Sequence, residues 1–323
     1  MKKLLLGLVL LLTIQSYGQI SVSKKHQGKL KKIDIETFNA FKKTTTVFVL
    51  SDLYDYEAYD NVLKEVWTVT PYKIVNYKDY KESEYKNEKY SVAILAGLKK
   101  TFENSKGGEW YKIRFFLKLE MFYKKKGKYK TKKIAKIFFY PKDEIVWDVI
   151  ASETKDEKVL NTKWFTDDVY FTYNRGFLKN YLQKINELIT NNQSFWMYKS
   201  YSKPKLKELT KRILYIPMYV TSKFNALKGE DGKVENKEIL ELLKIYKYKY
   251  KIIDDEILSD KIIDNEDIYY LRYSRIVTER FIEIVNAKTG EVVYKEYKAG
   301  LLNYNIKEKN IKSLNKAIVK SSK

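Results

Sequence analysis

The chain has 323 residues, with 63 Lys and Arg against 41 Asp and Glu, a formal net charge of +22, one histidine and no cysteine. Those counts exclude disulfide frameworks, Cys–His nucleophiles and Cys/His structural zinc sites. A hydrophobic content of 44% excludes wholesale disorder, and a length about twice a typical domain of ~150 residues predicts two domains.

The N-terminus reads MKKLLLGLVLLLTIQSYGQ. Lys2 and Lys3 form a positive n-region, Leu4 to Ile14 is apolar apart from Gly7 and Thr13, and Ser16 and Gly18 put small residues at −3 and −1 for cleavage before Gln19. This is the pattern of a secretory signal peptide over residues 1–18. The run is shorter than the ~20 residues of a bilayer-spanning helix. An uncleaved anchor or a buried helix is the competing reading, and it leaves the small-residue site unexplained. The expectation is an exported protein, periplasmic or extracellular, with no Cys for lipidation and no later transmembrane segment. Losing Lys2 and Lys3 takes the charge from +22 to +20.

Of the 63 basic residues only six are Arg: Arg114, Arg175, Arg212, Arg272, Arg275 and Arg280. Arginine is the side chain suited to bidentate phosphate and guanine contacts. The lysine skew therefore argues against specific nucleic-acid reading and fits base composition of the coding DNA. The charge remains able to attract anionic envelope polymers or lipid headgroups in a salt-dependent way.

Residues 19–43 read as a Lys-rich basic arm ending in a short helix. TTTVFVLS (44–51) is a buried strand, and AYDNVLKEVW (58–67) places Val62, Leu63 and Val66 at helical spacing. YKIVN (72–76) is a second strand, 77–85 a polar helical stretch, and YSVAILA (90–96) a third strand closed by Gly97. Trp110–Tyr123 and Lys132–Tyr140 form a hairpin around KKKGKYKT. Its first arm alternates apolar and charged residues as a half-exposed antiparallel strand does, with Phe116 the exception. The stretch 141–172 reads as irregular, with Trp147, Trp164 and Phe165 as core anchors. Residues 176–190 form an amphipathic helix on Leu178, Leu182, Ile185 and Ile189. The first α/β domain is thus expected over 44–193 and a polar linker over 194–211.

In the second domain, 212–323, ILYIPM (213–218) is a strand and NKEILELLKI (236–245) a helix. KIYKYKYKII (244–253) interleaves Lys244, Lys247, Lys249 and Lys251 with Tyr246, Tyr248 and Tyr250. Read as a basic-aromatic strip it would grip a polyanion. Read as an edge strand it packs Tyr248, Tyr250 and Ile252 inward and keeps Lys247, Lys249 and Lys251 solvated, a device against edge-to-edge aggregation. IYYLRY (268–273) is the third strand, 281–285 and 292–297 form a hairpin around NAKTGE, and 310–319 is a closing helix.

The halves share an element order: strand, helix, strand, helix, strand, hairpin, helix. A shift of 178 places Tyr72-Lys73-Ile74-Val75 on Tyr250-Lys251-Ile252-Ile253 and Asn87-Glu88 on Asn265-Glu266. A shift of 177 places Val62, Leu63 and Val66 on Ile239, Leu240 and Leu243. A shift of 129 places Leu182, Ile185, Asn186 and Ile189 on Ile311, Leu314, Asn315 and Ile318. The reading is a tandem duplication. The fold class expected is α/β (α+β), two similar domains each with a mixed sheet of about five strands and helices packed on it.

On ILYIPM (213–218), matching a first strand, and VNAKTGEVVYKEY (285–297), matching a last hairpin, the unit resembles the small periplasmic α/β domains of CsgG, TolB N-terminal and LpoB-like proteins. That resemblance implies a non-catalytic envelope partner: secretion pore, translocation module or regulator of wall synthesis. The chain departs from CsgG in having no lipidation Cys and no evident pore-forming hairpin, so pore function and functional residues are not carried over.

Candidate chemistry is sparse. His26 lies just behind the expected cleavage site and reads as a solvated arm residue, so a Ser-His-Asp triad has no scaffold. No phosphate-binding glycine loop occurs. The one acidic cluster after a strand is SDLYDYEAYD, with Asp52, Asp55, Glu57 and Asp60. Paired carboxyls about 5–10 Å apart can cleave glycosides, with Tyr54, Tyr56 and Tyr59 as cleft walls. The same residues also suit a helix N-terminus, where acids meet the positive end of the dipole. Glu230-Asp231 and Asp264 to Asp267 read as solvated loop charges without calcium-loop spacing. No cofactor or metal is expected. The expected function is non-enzymatic binding of an envelope protein or wall component such as peptidoglycan or polysaccharide. The alternatives are a hydrolase using Asp52, Asp55 and Glu57, or a basic adhesin module for anionic polymers.

Overall fold

The computed structural model describes residues 19–26, 28–103, 105, 107–152, 159–160, 169–225, 228–300 and 304–322. The expected signal peptide and the anchors Trp164 and Phe165 lie outside the described residues. The fold is mixed α/β, with helices packed on two mixed sheets.

The first half runs β1 (Ile20–Val22), α1 (Ile35–Lys42), β2 (Thr45–Leu50), α2 (Tyr56–Val66), β3 (Tyr72–Asn76), α3 (Glu82–Tyr85), β4 (Tyr90–Glu103), β5 (Glu109–Lys125), β6 (Lys128–Phe139), α4 (Asp143–Ala151), β7 (Val159–Leu160) and α5 (Arg175–Thr190). The second runs β8 (Tyr201–Ser202), a 3₁₀ turn (Pro204–Thr210), β9 (Leu214–Pro217), a second 3₁₀ turn (Met218–Thr221), β10 (Phe224–Asn225), β11 (Glu230–Asp231), α6 (Lys237–Leu243), β12 (Tyr250–Ile253), α7 (Asp255–Ile263), β13 (Tyr269–Ile276), β14 (Glu279–Asn286), β15 (Val292–Ala299) and α8 (Glu308–Ser321).

The first sheet has the order β3-β2-β4-β5-β6-β1, with β7 also on β4; the second has the order β12-β9-β13-β14-β15-β8. Pairing senses match strand for strand. The first three strands of each are parallel, and the rest antiparallel. Register matches too. Thr46 pairs with Tyr72 and Ser91, and Leu214 pairs with Tyr250 and Tyr269. Both flanking strands are therefore offset by 178 (250 − 72 and 269 − 91), the shift read from sequence. One edge strand of each sheet, β1 and β8, comes from segments expected as arm (19–43) and linker (194–211). Buried Phe195, Met197, Leu206 and Leu209 tie the latter into the packing.

The central helix α5 is buried on nearly all sides and packs on α2 and α7. Gly176 makes the close crossing possible, since a Cβ there would lie 2.7 Å from the Ser259 carbonyl oxygen. Lys179 Nζ donates to the Ile262 and Ile263 carbonyls (3.1 and 2.8 Å) at the end of α7 and pairs with Glu65 of α2 (2.8 Å). There the cation meets the negative end of a helix dipole. One continuous apolar core runs from Phe48, Phe115 and Phe139 through Tyr181 to Tyr270 and Ile284.

Several expectations need correction. His26 is not solvated: it is 6% exposed, its Nδ1 sits 3.1 Å from Ser21 Oγ, and burial with the nearby Lys136 and Lys133 lowers its pKa to about 3. Pairing of β1 with β6 draws the arm onto the sheet. The stretch 141–172 is not wholly irregular, because α4 turns Ile145 and Val149 inward. Trp147 is no core anchor: it is 48% exposed and lies over Gly229, whose φ of +73° and missing Cβ leave room for the ring. The helix expected over 77–85 shrinks to Glu82–Tyr85; Tyr80 stacks on Tyr85 instead. Phe116 breaks the polar face because Met197, Phe281 and Phe138 cover it. Glu230 and Asp231 form a short strand; Glu230 is solvated as expected, but the Asp231 side chain is only 8% exposed.

Candidate binding site

The acidic stretch follows β2 at the edge where that strand ends. Its partnered carboxylates have separate partners. Asp55 is the N-cap of α2, its Oδ1 accepting from Ala58 N at 2.7 Å. Glu57 lies exposed in the first helical turn. Asp52 accepts from Asn76 and pairs with Lys78, which lowers its pKa. Asp60 accepts from the Tyr72 hydroxyl (2.7 Å) and pairs with Lys64 (2.6 Å), contacts that also hold its pKa down. Asp55 and Glu57 thus meet the positive end of the α2 dipole, whereas Asp52 and Asp60 are held by side-chain partners outside that first turn.

The tyrosines separate. Tyr56 is 63% exposed and Tyr59 is buried, its hydroxyl 3.0 Å from that of Tyr173. Tyr54 lines a cleft of about 440 Å³ between the halves. Tyr170, Phe171 and Tyr173 reach that cleft from the first half, and Tyr219 from the second. Phe171 and Tyr219 stack at 5.4 Å, and the Arg175 guanidinium lies 5.7 Å from the Tyr54 ring. Burial raises the hydroxyl pKa of Tyr54, Tyr170, Tyr173 and Tyr219, so all four stay neutral donors. Lys142 stands on one rim; Asp254, Asp255 and Glu256, the N-cap and first turn of α7, stand on the other.

Beside the cleft, the Tyr140–Asp143 segment also borders a smaller pocket of about 230 Å³. Here Arg275 Nη2 donates to Asp143 Oδ1 (3.2 Å) and Asp231 Oδ2 (2.9 Å), and the Tyr140 hydroxyl donates to Asp231 (3.0 Å). The guanidinium lies 3.5 Å from the Phe224 ring. Burial and the Asp231 charge push the Asp143 pKa up to about 6. Sequence reasoning missed this pair. The only signals were an Asp-Glu pair before an apolar helix (Asp143-Glu144) and a Glu-Asp pair beside a glycine (Glu230-Asp231).

Among the described residues no group of three or more His, Asp or Glu gathers as metal ligands, and no helix is long and apolar enough to cross a membrane. Comparisons with protein-family models, curated proteins and solved structures gave no match.

Proposed function

We propose that the chain is an exported, non-enzymatic protein of the cell envelope, built by duplication of one α/β unit, that binds a protein partner or wall component in the inter-sheet cleft. One observation carries this reading: Tyr54, Tyr170, Phe171, Tyr173 and Tyr219 converge from both halves on one concave surface. Aromatic walls with a few polar rim groups are the usual lining of a ligand-binding cleft. The sequence pattern of residues 1–18 supports export, and the last hairpin supports kinship with CsgG, TolB N-terminal and LpoB-like domains.

A photo-crosslinking side chain at the rim residue Val234, 44% exposed, tests the cleft in the native envelope. A discrete adduct that disappears on Tyr54→Ala supports the reading. The reading fails if the chain cleaves an envelope glycan and Asp52→Asn with Asp55→Asn abolishes that cleavage while the fold survives.

A further inference from the structure

The hairpin between β5 and β6 outruns its sheet. Pairing of β4 with β5 ends at Ser91 and Met121, whereas β5 and β6 pair on to Lys125 and Lys128. Residues 122–131 thus form a two-stranded ribbon of four residues per strand, about 14 Å long at ~3.4 Å per residue. Lys126 (φ 51°) and Gly127 (φ 76°) close it as a tight two-residue turn.

Seven lysines crowd this ribbon and its base: Lys124, Lys125, Lys126, Lys128, Lys130, Lys132 and Lys133. All are exposed, and none makes an ion pair with a carboxylate among the described residues. Lys125 stands directly opposite Lys128, and like charges facing across strands destabilise a ribbon. One or two lysines would protect a free edge; seven exceed that need. By pairing register, Lys125, Lys128, Lys130 and Lys132 share one face with Tyr123. The Lys132 ammonium lies 5.1 Å from the Tyr123 ring, and that of Lys124 6.0 Å from the Tyr129 ring.

We propose that this ribbon is a docking surface for an acidic polysaccharide, laid along the lysine face with a sugar ring against Tyr123, while Tyr129 lies with Lys124 on the opposite face. The inference goes beyond the cleft reading: the ribbon shares no residue with the cleft lining and is a second binding surface. Charge complementarity names the occupant. No Leu, Ile, Phe or Trp lies between Tyr123 and Thr131 to wedge into a bilayer. No arginine is present for bidentate contacts to bases.

The test is binding of the full chain to polygalacturonate, with neutral dextran, anionic phospholipid vesicles and single-stranded DNA as comparisons. A variant with Lys125→Gln, Lys128→Gln, Lys130→Gln and Lys132→Gln is compared with one carrying Lys244→Gln, Lys247→Gln, Lys249→Gln and Lys251→Gln, which loses the same charge elsewhere. Both are checked for wild-type thermal unfolding. The ribbon variant is expected to lose about tenfold or more in affinity and the control little, and wild-type binding is expected to collapse as salt rises from about 0.05 to about 0.3 M. Equal loss in both variants, tighter binding to vesicles or DNA, or no binding to polygalacturonate overturns the proposal. Crosslinks at Val234 that survive in the ribbon variant separate failure here from failure of the cleft.

Discussion

Asn186 and Asn315 make the same brace in the two halves. Asn186 Oδ1 accepts from Thr68 N and Val69 N (2.8 and 2.9 Å), and Asn315 Oδ1 accepts from Lys247 N (3.1 Å). Val69 and Lys247 are 178 apart, as are the flanking strands, and each lies in the connection from α2 to β3 or from α6 to β12. Asn315 Nδ2 also donates to the Ile245 carbonyl (2.9 Å), and Asn186 Nδ2 to the Thr68 hydroxyl (3.0 Å). One side chain on each final helix thus fixes the connection entering β3 or β12.

Asn315→Ala is expected to cost about 1–3 kcal/mol in urea unfolding, because it leaves a sheltered amide and carbonyl unpaired. Asn186→Ala is expected to cost about 1 kcal/mol, since Thr68 N is more open to water. Asn186→Asp keeps both acceptor bonds and should be milder. A larger loss at Asn186 than at Asn315 would contradict the assignment.

These braces show what the sequence could and could not disclose. β2, β3, the start of β4, the first hairpin and α5 were legible because their apolar periods run through several residues. The shift of 178 was legible because YKIV and YKII keep it without a gap. β1 and β8 are three and two residues long, too short to show a period, so they read as arm and linker. KIYKYKYKII behaves as the edge-strand reading expects: Lys244, Lys247, Lys249 and Lys251 are exposed while Tyr246 is buried and Tyr248 and Tyr250 are half-buried. The position after a strand end offered Tyr54, Tyr56 and Tyr59 alike as cleft walls, and only Tyr54 lines the cleft. Tyr170, Phe171, Tyr173 and Tyr219 were not legible, because only tertiary folding gathers them. Arg272, Glu283 and Lys295 alternate with apolar residues and so imitate a solvated face. The pairing register alone aligns them inside the protein.

That buried row is the next point of test. Arg272 Nε and Nη2 donate to Glu283 Oε2 (2.9 and 2.8 Å), Lys295 Nζ lies 3.7 Å from Oε1, and the guanidinium sits 4.5 Å from the Tyr181 ring. All three side chains are essentially inaccessible. Glu283→Gln strands two cations and is expected to cost about 3–5 kcal/mol. Replacing the row together, with Arg272→Met, Glu283→Leu and Lys295→Met, should recover most of that loss. Denaturant midpoints decide. A triple variant as unstable as Glu283→Gln would show that packing, not stranded charge, sets the cost.

Stability should rise from about pH 8 toward pH 10. Burial lowers the pKa of Lys295 and Lys184 to about 8 from 10.5. Between those values the unfolded chain holds more protons than the folded one, so raising pH favours folding. Above about pH 10 the sign reverses, because burial raises the hydroxyl pKa of Tyr140, Tyr173 and Tyr219 and the unfolded chain loses those protons first. At the acid end, His26 at about 3 makes the folded state poorer in protons below its ordinary value, so its contribution is lost as pH falls from 6.5 toward 3. Calorimetric melting across pH is the measurement. Lys295→Met should flatten the alkaline rise, and an unchanged slope would rule Lys295 out as its source.

The Arg275 clamp joins the halves through charge, so its loss should carry a pH signature. Asp143 and Tyr140 belong to the first half, Asp231 and Arg275 to the second, and Arg275 pairs with both carboxylates. Arg275→Leu leaves two sheltered carboxylates facing each other, with an expected cost of about 3–5 kcal/mol. The folded pair then holds its proton to higher pH than the unfolded chain does. Stability is therefore lost as pH rises through that range, and the deficit at pH 8 should exceed that at pH 5. Adding Asp231→Asn removes one charge and should restore stability at pH 8 more than at pH 5. Equal deficits at both pH values would mean that Arg275 acts through its stack on Phe224 and not through the carboxylates.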